Sequence, residues 1–103
     1  MGLPHIIELT GRIDNVSSST IEANIGSALD ASPSALILDF TGVTFVSSIG
    51  LRVLLIAAKR CRKQNMRLAL HSVSPQIVEL FGLSGLNPFF SLYANREAAL
   101  NLS

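Results

Sequence analysis

Two adjacent serines, Ser47 and Ser48, stand directly before an apolar helical pattern, and they are the residues here best placed to do chemistry. The first backbone N–H groups of a helix have no partners inside it, and the positive end of its dipole lies there. Such a place accepts a phosphate without strain, and phosphorylation of a serine adds close to two negative charges at neutral pH. The simpler role of both serines is to cap the helix. As nucleophiles they have little support, because Val46-Ser47-Ser48-Ile49-Gly50 is not a nucleophile elbow and no Ser-His-Asp order is evident. Asp14 and Asp39 are expected at or near strand ends, where α/β folds place their sites, although turn and cap chemistry explains them too. His5 and His71 are far apart and Cys61 stands alone, so no metal site is expected. A phosphate-binding loop and a dinucleotide glycine fingerprint are both absent, and no cofactor is implied. The residues point to a binding protein rather than an enzyme.

Composition sets the frame for these residues. The 103-residue chain is 49% apolar and 15% charged, which is globular rather than disordered, and its length suits one domain over residues 1–103. The net charge of +1 argues neither for nor against a polyanionic partner, but five of the eight basic residues (Lys59, Arg60, Arg62, Lys63 and Arg67) fall within nine positions. A helix C-terminus favours such a run. Without aromatic interleaving or a binding motif, nucleic acid is not an expected partner. A single cysteine forms no intrachain disulfide and suits a reducing compartment. No basic region followed by an apolar run opens the chain, and Ile6 stands where a myristoylation signal needs Ser or Thr. The longest apolar run, Val53 to Ala58, is far too short to cross a bilayer. A cytoplasmic protein with no direct membrane insertion is expected.

The elements that must position the serines follow closely on one another. His5 to Thr10 reads as a strand ended by Gly11, with Arg12-Ile13 continuing beyond a bulge. Ser17 to Thr20 is rich in capping residues, Ser19 and Glu22 have capping-box spacing, and Ile21, Ile25, Ala28 and Leu29 recur at helical spacing. Gly26 inside that helix marks either close packing or simple tolerance. Ala35 to Phe40 is an almost continuous apolar run, as in a strand covered on both faces. Thr41 to Phe45 is expected to turn, and Ser47 or Ser48 to cap a second helix running to about Gln64. Arg67 to Val73 is a third strand. Ser74-Pro75 opens a short helix to about Gly82. Phe90 to Tyr93 is a short edge strand, and Asn95 caps a last helix. Alternation of this kind predicts an α/β fold with a mostly parallel sheet of four to five strands, helical crossovers and four helices. The place of the first strand in the sheet is not readable.

The second helix is more apolar than one buried stripe requires. At about 100° per residue, Leu51, Leu54, Leu55, Ala58 and Cys61 share a face that should pack on the sheet. Ile49, Val53 and Ile56 fall roughly opposite, flanked by Arg52, Lys59, Arg60 and Lys63. Either a neighbouring helix covers these three, or they form the apolar centre of a partner-docking surface with a basic rim. On the second reading Val53→Asp abolishes partner binding and leaves the fold intact.

LILDFTGVTFVSSIGLRVLL, residues 36 to 55, resembles the signature of the STAS domain, the fold of bacterial anti-sigma factor antagonists. TGRID, residues 10 to 14, is similar to that family's first turn. VSPQIVELFGLSGLNPFF, residues 73 to 90, resembles its third helix and following loop, and Arg96 to Leu100 its closing helix. The resemblance implies a protein that binds an anti-sigma factor, in many cases a serine kinase, and so frees a sigma factor. It also implies that phosphorylation at the start of the second helix switches binding off. The family motif is Asp-Ser-Ser-Gly or Asp-Ser-Thr-Gly, with the phosphate on the residue before glycine. In this chain Ser47 stands at the aspartate, Ser48 at the first serine, Ile49 at the acceptor position, and Gly50 at the glycine. Either Ser48 (or Ser47) takes the phosphate instead, or this chain is not switched in that way.

The resemblance places the partner surface around the start of the second helix, where the helical spacing independently puts Ile49, Val53 and Ile56; together the two readings give Asp14, Asp39, Ser47, Ser48, Ile49, Gly50, Arg52, Val53 and Ile56 as partner-binding candidates. Asp14 and Asp39 would shape the loop around the serines. The competing reading is a STAS subunit of an ABC-type transport complex that binds its ATPase and is never phosphorylated, which Ile49 favours. A small-molecule or nucleotide sensor using the strand-end crevice is a third. The apolar patch would serve a homodimer equally well.

Overall fold

The computed structural model describes residues 3–101. Four parallel strands lie in the order β1-β2-β3-β4: β1 His5–Ile13, β2 Ala35–Val46, β3 Arg67–His71 and β4 Ser91–Tyr93. Helices α1 Ser18–Asp30, α2 Ser48–Lys63 and α3 Pro75–Leu83 connect them, and α4 Arg96–Asn101 closes the chain. Right-handed crossovers in a strand order that never reverses keep the connecting helices on one face of the sheet. Accordingly α1, α2 and α3 share one core with Leu36, Leu38, Phe40, Leu68 and Leu70. Phe40, Phe81 and Phe90 stack edge to face within it, with centroids 6.1 and 5.1 Å apart. Among the described residues α4 alone covers the other face, where Ala99 packs on Ile37 and Ala69. Both faces of β2 are therefore covered over residues 35–40, which is why Ala35 to Phe40 reads as an apolar run interrupted by Asp39 alone.

Two sequence expectations fail locally. Residues 41–45 do not turn; β2 runs on to Val46, paired with the end of β1 as Thr10↔Gly42, Gly11↔Val43, Arg12↔Phe45 and Ile13↔Val46. The turn-like Thr41-Gly42 composition is overridden by a partner strand that is available only in the folded chain. The expected bulge is present: the register slips between Glu8 and Thr10 and again between Gly11 and Arg12, and Gly11 takes a φ of +71°. β3 stops opposite Asp39, so the ends of β1 and β2 project past it as a two-stranded ribbon. The Ser19–Glu22 capping box is also absent. Ser17 precedes α1, and its hydroxyl donates to the Arg12 carbonyl (2.7 Å) rather than capping the helix. The caps at Ser74 and Asn95 form as expected, by acceptance from the amides of Ile77 (3.4 Å) and Ala98 (2.8 Å).

A third correction concerns α2. Val53 is 3% exposed and belongs to the core, together with Gly50, Leu54, Ala57, Ala58 and Cys61, while Leu51 and Leu55 are half-buried. α2 touches α1 as well as the sheet, so its covered arc is wider than one stripe, and Val53 and Ala57 face Ile25 of α1 across a groove. Ile49 and Ile56 stay outside, 47% and 41% exposed.

Two substitutions separate these effects. Val53→Asp places a carboxylate in the core and should unfold or severely destabilise the domain, by about 3 kcal/mol or more in denaturant melts, rather than leave the fold intact. Gly26→Ala should do the reverse. Its added methyl meets only the flexible end of Arg60, with Nη1 at 3.4 Å, so the helix gains about 1 kcal/mol of propensity and the melting temperature rises.

Candidate partner-binding site

The site is built around one carbonyl. The Ile13 oxygen, at the end of β1, accepts from the Ser47 N–H (2.9 Å) and from the Ser47 hydroxyl (3.2 Å). Ser47 has extended backbone, and its Oγ also accepts from the Gly50 N–H at 3.1 Å, which makes it the cap of α2. The start of α2 is thereby stitched to the tip of the ribbon. Gly50 lies flat against this junction. A Cβ there would run into the Ile13 carbonyl and stand 2.9 Å from Ile13 Cγ2 and 3.0 Å from Val46 Cγ1. The position is buried and closed to any larger residue.

Next along the chain, Asp14 organises the loop into α1. Its carboxylate accepts from the amides of Val16 (3.0 Å) and Ser17 (3.4 Å) and from Arg12 Nε (3.2 Å). The Val16 amide, with Arg12 and Ser17, holds its pKa below the ordinary carboxylate range against the opposing effect of burial. Val16 is left at the loop tip, 83% exposed. Beside it on the ribbon the Arg12 guanidinium lies 4.3 Å over the Phe45 ring, which is 41% exposed. Ser48 and Ile49, the first two residues of α2, are exposed, and Arg52 follows one turn later. Among the described residues the Ser48 hydroxyl has no hydrogen-bond partner.

The structure therefore brings Asp14, Ser47, Ser48, Ile49, Gly50 and Arg52 to one end of the molecule, with Ile56 further along α2. It buries Val53, and it places Asp39 elsewhere. Asp39 faces α4 on the opposite side of the sheet, where it accepts from the Thr41 amide (2.9 Å), the Thr41 hydroxyl (2.6 Å) and Arg96 (3.0 Å). Strand polarity alone does not say to which face a strand-end residue points, so its role in shaping the serine loop is withdrawn. His71 is buried next to it, with Nε2 at 3.8 Å from Asp39 Oδ1 and without a hydrogen bond, and Nδ1 at 2.8 Å from Ser72 Oγ. Ser72, His71 and Asp39 do not form a relay: Thr41 and Arg96 occupy the carboxylate, and Ser72 Oγ donates to the Ala94 carbonyl (3.4 Å). They tie α4 to the sheet. Burial pushes the Cys61 thiol up to about 11, which keeps it protonated and inert. Groups of His, Cys, Asp and Glu able to hold a metal are absent among the described residues.

Arg12, Val16 and Phe45 stand beside these candidate residues and were not singled out from the sequence. Phe45 was hidden by the expected turn. A strand through Val46, read with the bulge at Gly11, would have paired it with Arg12.

Asp39 gives a pH prediction. Burial raises its pKa, but the Thr41 hydroxyl and amide, Arg96 and His71 outweigh this and hold it below the ordinary value. Its contribution to stability is thus complete above about pH 4, the ordinary carboxylate value, and is lost as pH falls through the depressed folded pKa. Asp39→Asn should destabilise the protein at pH 7, and the gap to the wild type should narrow in urea melts below about pH 4. A gap independent of pH would show that the carboxylate charge contributes nothing.

The geometry has counterparts in known proteins. The STAS domain family matches residues 2–99. BtrV of Bordetella bronchiseptica, named as an anti-sigma factor antagonist, is 32% identical over 91 residues, covering 88% of this chain and 78% of its own. The anti-sigma factor antagonist SpoIIAA of Bacillus, in its unphosphorylated form, superposes with a TM-score of 0.80 at 24% identity, over 99% of this chain and 90% of its own. A sulfate transporter family protein of Wolinella succinogenes gives a TM-score of 0.81 at 19% identity, over 96% of this chain and 83% of its own. These last two are likenesses of fold. With its parallel sheet, its capped second helix and a family match over nearly its whole length, this chain belongs to the STAS domain family.

Proposed function

We propose that this chain is an anti-sigma factor antagonist: it binds an anti-sigma factor and thereby releases the sigma factor held by that protein. The observation that carries the reading is the surface at the start of α2. There the exposed apolar side chains of Val16, Phe45 and Ile49 stand among Arg12 and Arg52 on a backbone fixed by the Ser47–Ile13 junction. A rigid apolar patch with a polar margin is what a protein partner recognises. The likeness to BtrV supports the same reading. The protein acts by occupying its partner and not by catalysis.

Ser48 is the switch residue. Its hydroxyl is exposed on the first residue of α2, whereas Ile49, which stands where the family places its phosphate, has no hydroxyl to modify. A kinase partner that phosphorylates Ser48 sets a dianion at the helix N-terminus, where the dipole and end amides accommodate it. The same charge on the rim of the apolar patch opposes docking. Ser47 is not the acceptor, since its oxygen is held by Ile13 and Gly50. A second reading has one observation in its favour. The isoleucine at the acceptor position suits a STAS subunit of an ABC-type transport complex that is bound to its ATPase and never phosphorylated.

Affinity capture from host lysate, read by mass spectrometry, separates the two. Wild type should retain an anti-sigma factor, and Ser48→Asp and Ile49→Asp should each lose it while keeping the wild-type circular dichroism. Capture of a transport ATPase, equally by wild type and Ser48→Asp, would overturn the antagonist reading.

A further inference from the structure

The charges of this chain are unevenly shared among its elements, although Glu22 of α1 lines one groove with Ile56 and Arg60 of α2. α2 carries Arg52, Lys59, Arg60, Arg62 and Lys63 and no acidic residue. The other three cations of the chain stand against all seven of its carboxylates. Two of those three are neutralised locally, Arg12 by Asp14 (3.2 Å) and Arg96 by Asp39 (3.0 Å). Among the described residues no cation of α2 lies within salt-bridge distance of a carboxylate. A chain with a net charge of +1 thus presents one strongly positive helix on an otherwise acidic body.

The order of residues on the outer face of this helix carries the argument further. Ile49, Arg52, Ile56, Lys59 and Lys63 step by three or four positions and are all exposed, so they form one ridge about 21 Å long at 1.5 Å rise per residue. The helix dipole accounts for Arg60, Arg62 and Lys63 in the last turn. It does not account for Arg52 near the N-terminal end, nor for a solvent-facing helix without a single carboxylate to pair at i, i+4. Arg62 is otherwise engaged, 4.7 Å over the Phe89 ring, and Arg60 leans toward Gly26 of α1. Arg52, Lys59 and Lys63 are left facing outward between and beyond two isoleucines.

We propose that this ridge docks an acidic protein surface with an apolar centre, the isoleucines filling its middle and Arg52, Lys59 and Lys63 meeting carboxylates around it. The proposal rests on the functional reading above and specifies the chemistry of the partner. Nucleic acid fits less well, because α2 has no aromatic residue to stack on a base and a phosphate backbone would leave Ile49 and Ile56 in water. Arg52 also gives the switch a local mechanism. It lies four residues after Ser48, so a phosphate on Ser48 faces it across one helical turn. The modified serine takes this cation from the partner and turns a negative group toward the partner's own carboxylates.

The test is an NMR titration of the full chain with a synthetic acidic helical peptide, a leucine stripe flanked by glutamates, alongside its lysine-flanked counterpart. Shifts should concentrate on the amides of Ile49, Arg52, Ile56, Lys59 and Lys63. The acidic peptide should bind about tenfold more weakly when both lysines are reversed in Lys59→Glu/Lys63→Glu, and with a flatter salt dependence. Circular dichroism checks that this exposed pair leaves the fold unchanged. Equal binding of the basic peptide, shifts away from the ridge, or tighter binding there of a DNA duplex or phosphatidylserine vesicles would overturn the proposal. If Lys59→Glu/Lys63→Glu still captures an anti-sigma factor from lysate as well as wild type does, the acidic-docking inference fails and the antagonist reading stands. If wild type captures none while the peptide still maps to the ridge, the antagonist reading alone fails.

Discussion

The arrangement of this domain at the start of α2 depends on the Ile13 carbonyl. Two hydrogen bonds from Ser47 converge on it, and Gly50 packs against it with no room for a methyl group. Any displacement of α2 from the ribbon exposes a buried carbonyl and uncaps a helix at once, each at a cost of about 1 kcal/mol or more. The junction is therefore rigid. Its rigidity lets the exposed residues around it, Val16, Phe45, Ser48 and Ile49, keep a fixed geometry although little packs over them. A partner meeting such a surface loses little entropy in ordering it.

The rest of the fold serves this junction. A strand order without reversals places α1, α2 and α3 on one face, so α1 supports α2 from the side and buries Val53. The opposite face is left to α4, a helix of six residues. So short a helix is not stable alone. It is held by Ala99 in a small apolar cluster and by Arg96 on the buried carboxylate of Asp39. Asp39 is thus a structural charge with its own partners, and it belongs to the side of the molecule away from the serines.

Charge is distributed with the same division of labour. Cations away from α2 are engaged in local contacts: Arg12 with Asp14 and Phe45, Arg96 with Asp39, and Arg67 with the Ala99 carbonyl (2.9 Å) and the Tyr93 ring. Those of α2 form no salt bridge among the described residues. A positive helix ending in an apolar, serine-capped tip favours an oppositely charged partner both in encounter and in orientation.

The alternation of elements, the doubly covered second strand, the caps at Ser47, Ser74 and Asn95, and the buried stripe of α1 were legible in the sequence. They follow from local periodicity and from side chains that bond to their own neighbouring backbone. The tertiary structure alone decided what depends on residues far apart. It kept residues 41–46 extended, because the end of β1 supplies their ladder bonds. It moved Val53 into the core, because α1 lies beside α2. It laid α4 over the face that Asp39 shares with Ile37, where Arg96, 57 positions on, reaches the carboxylate. It also revealed Arg12 and Phe45 as one stacked pair. Helical and strand periods say which residues share a face, but which neighbour covers that face is settled only when the elements pack.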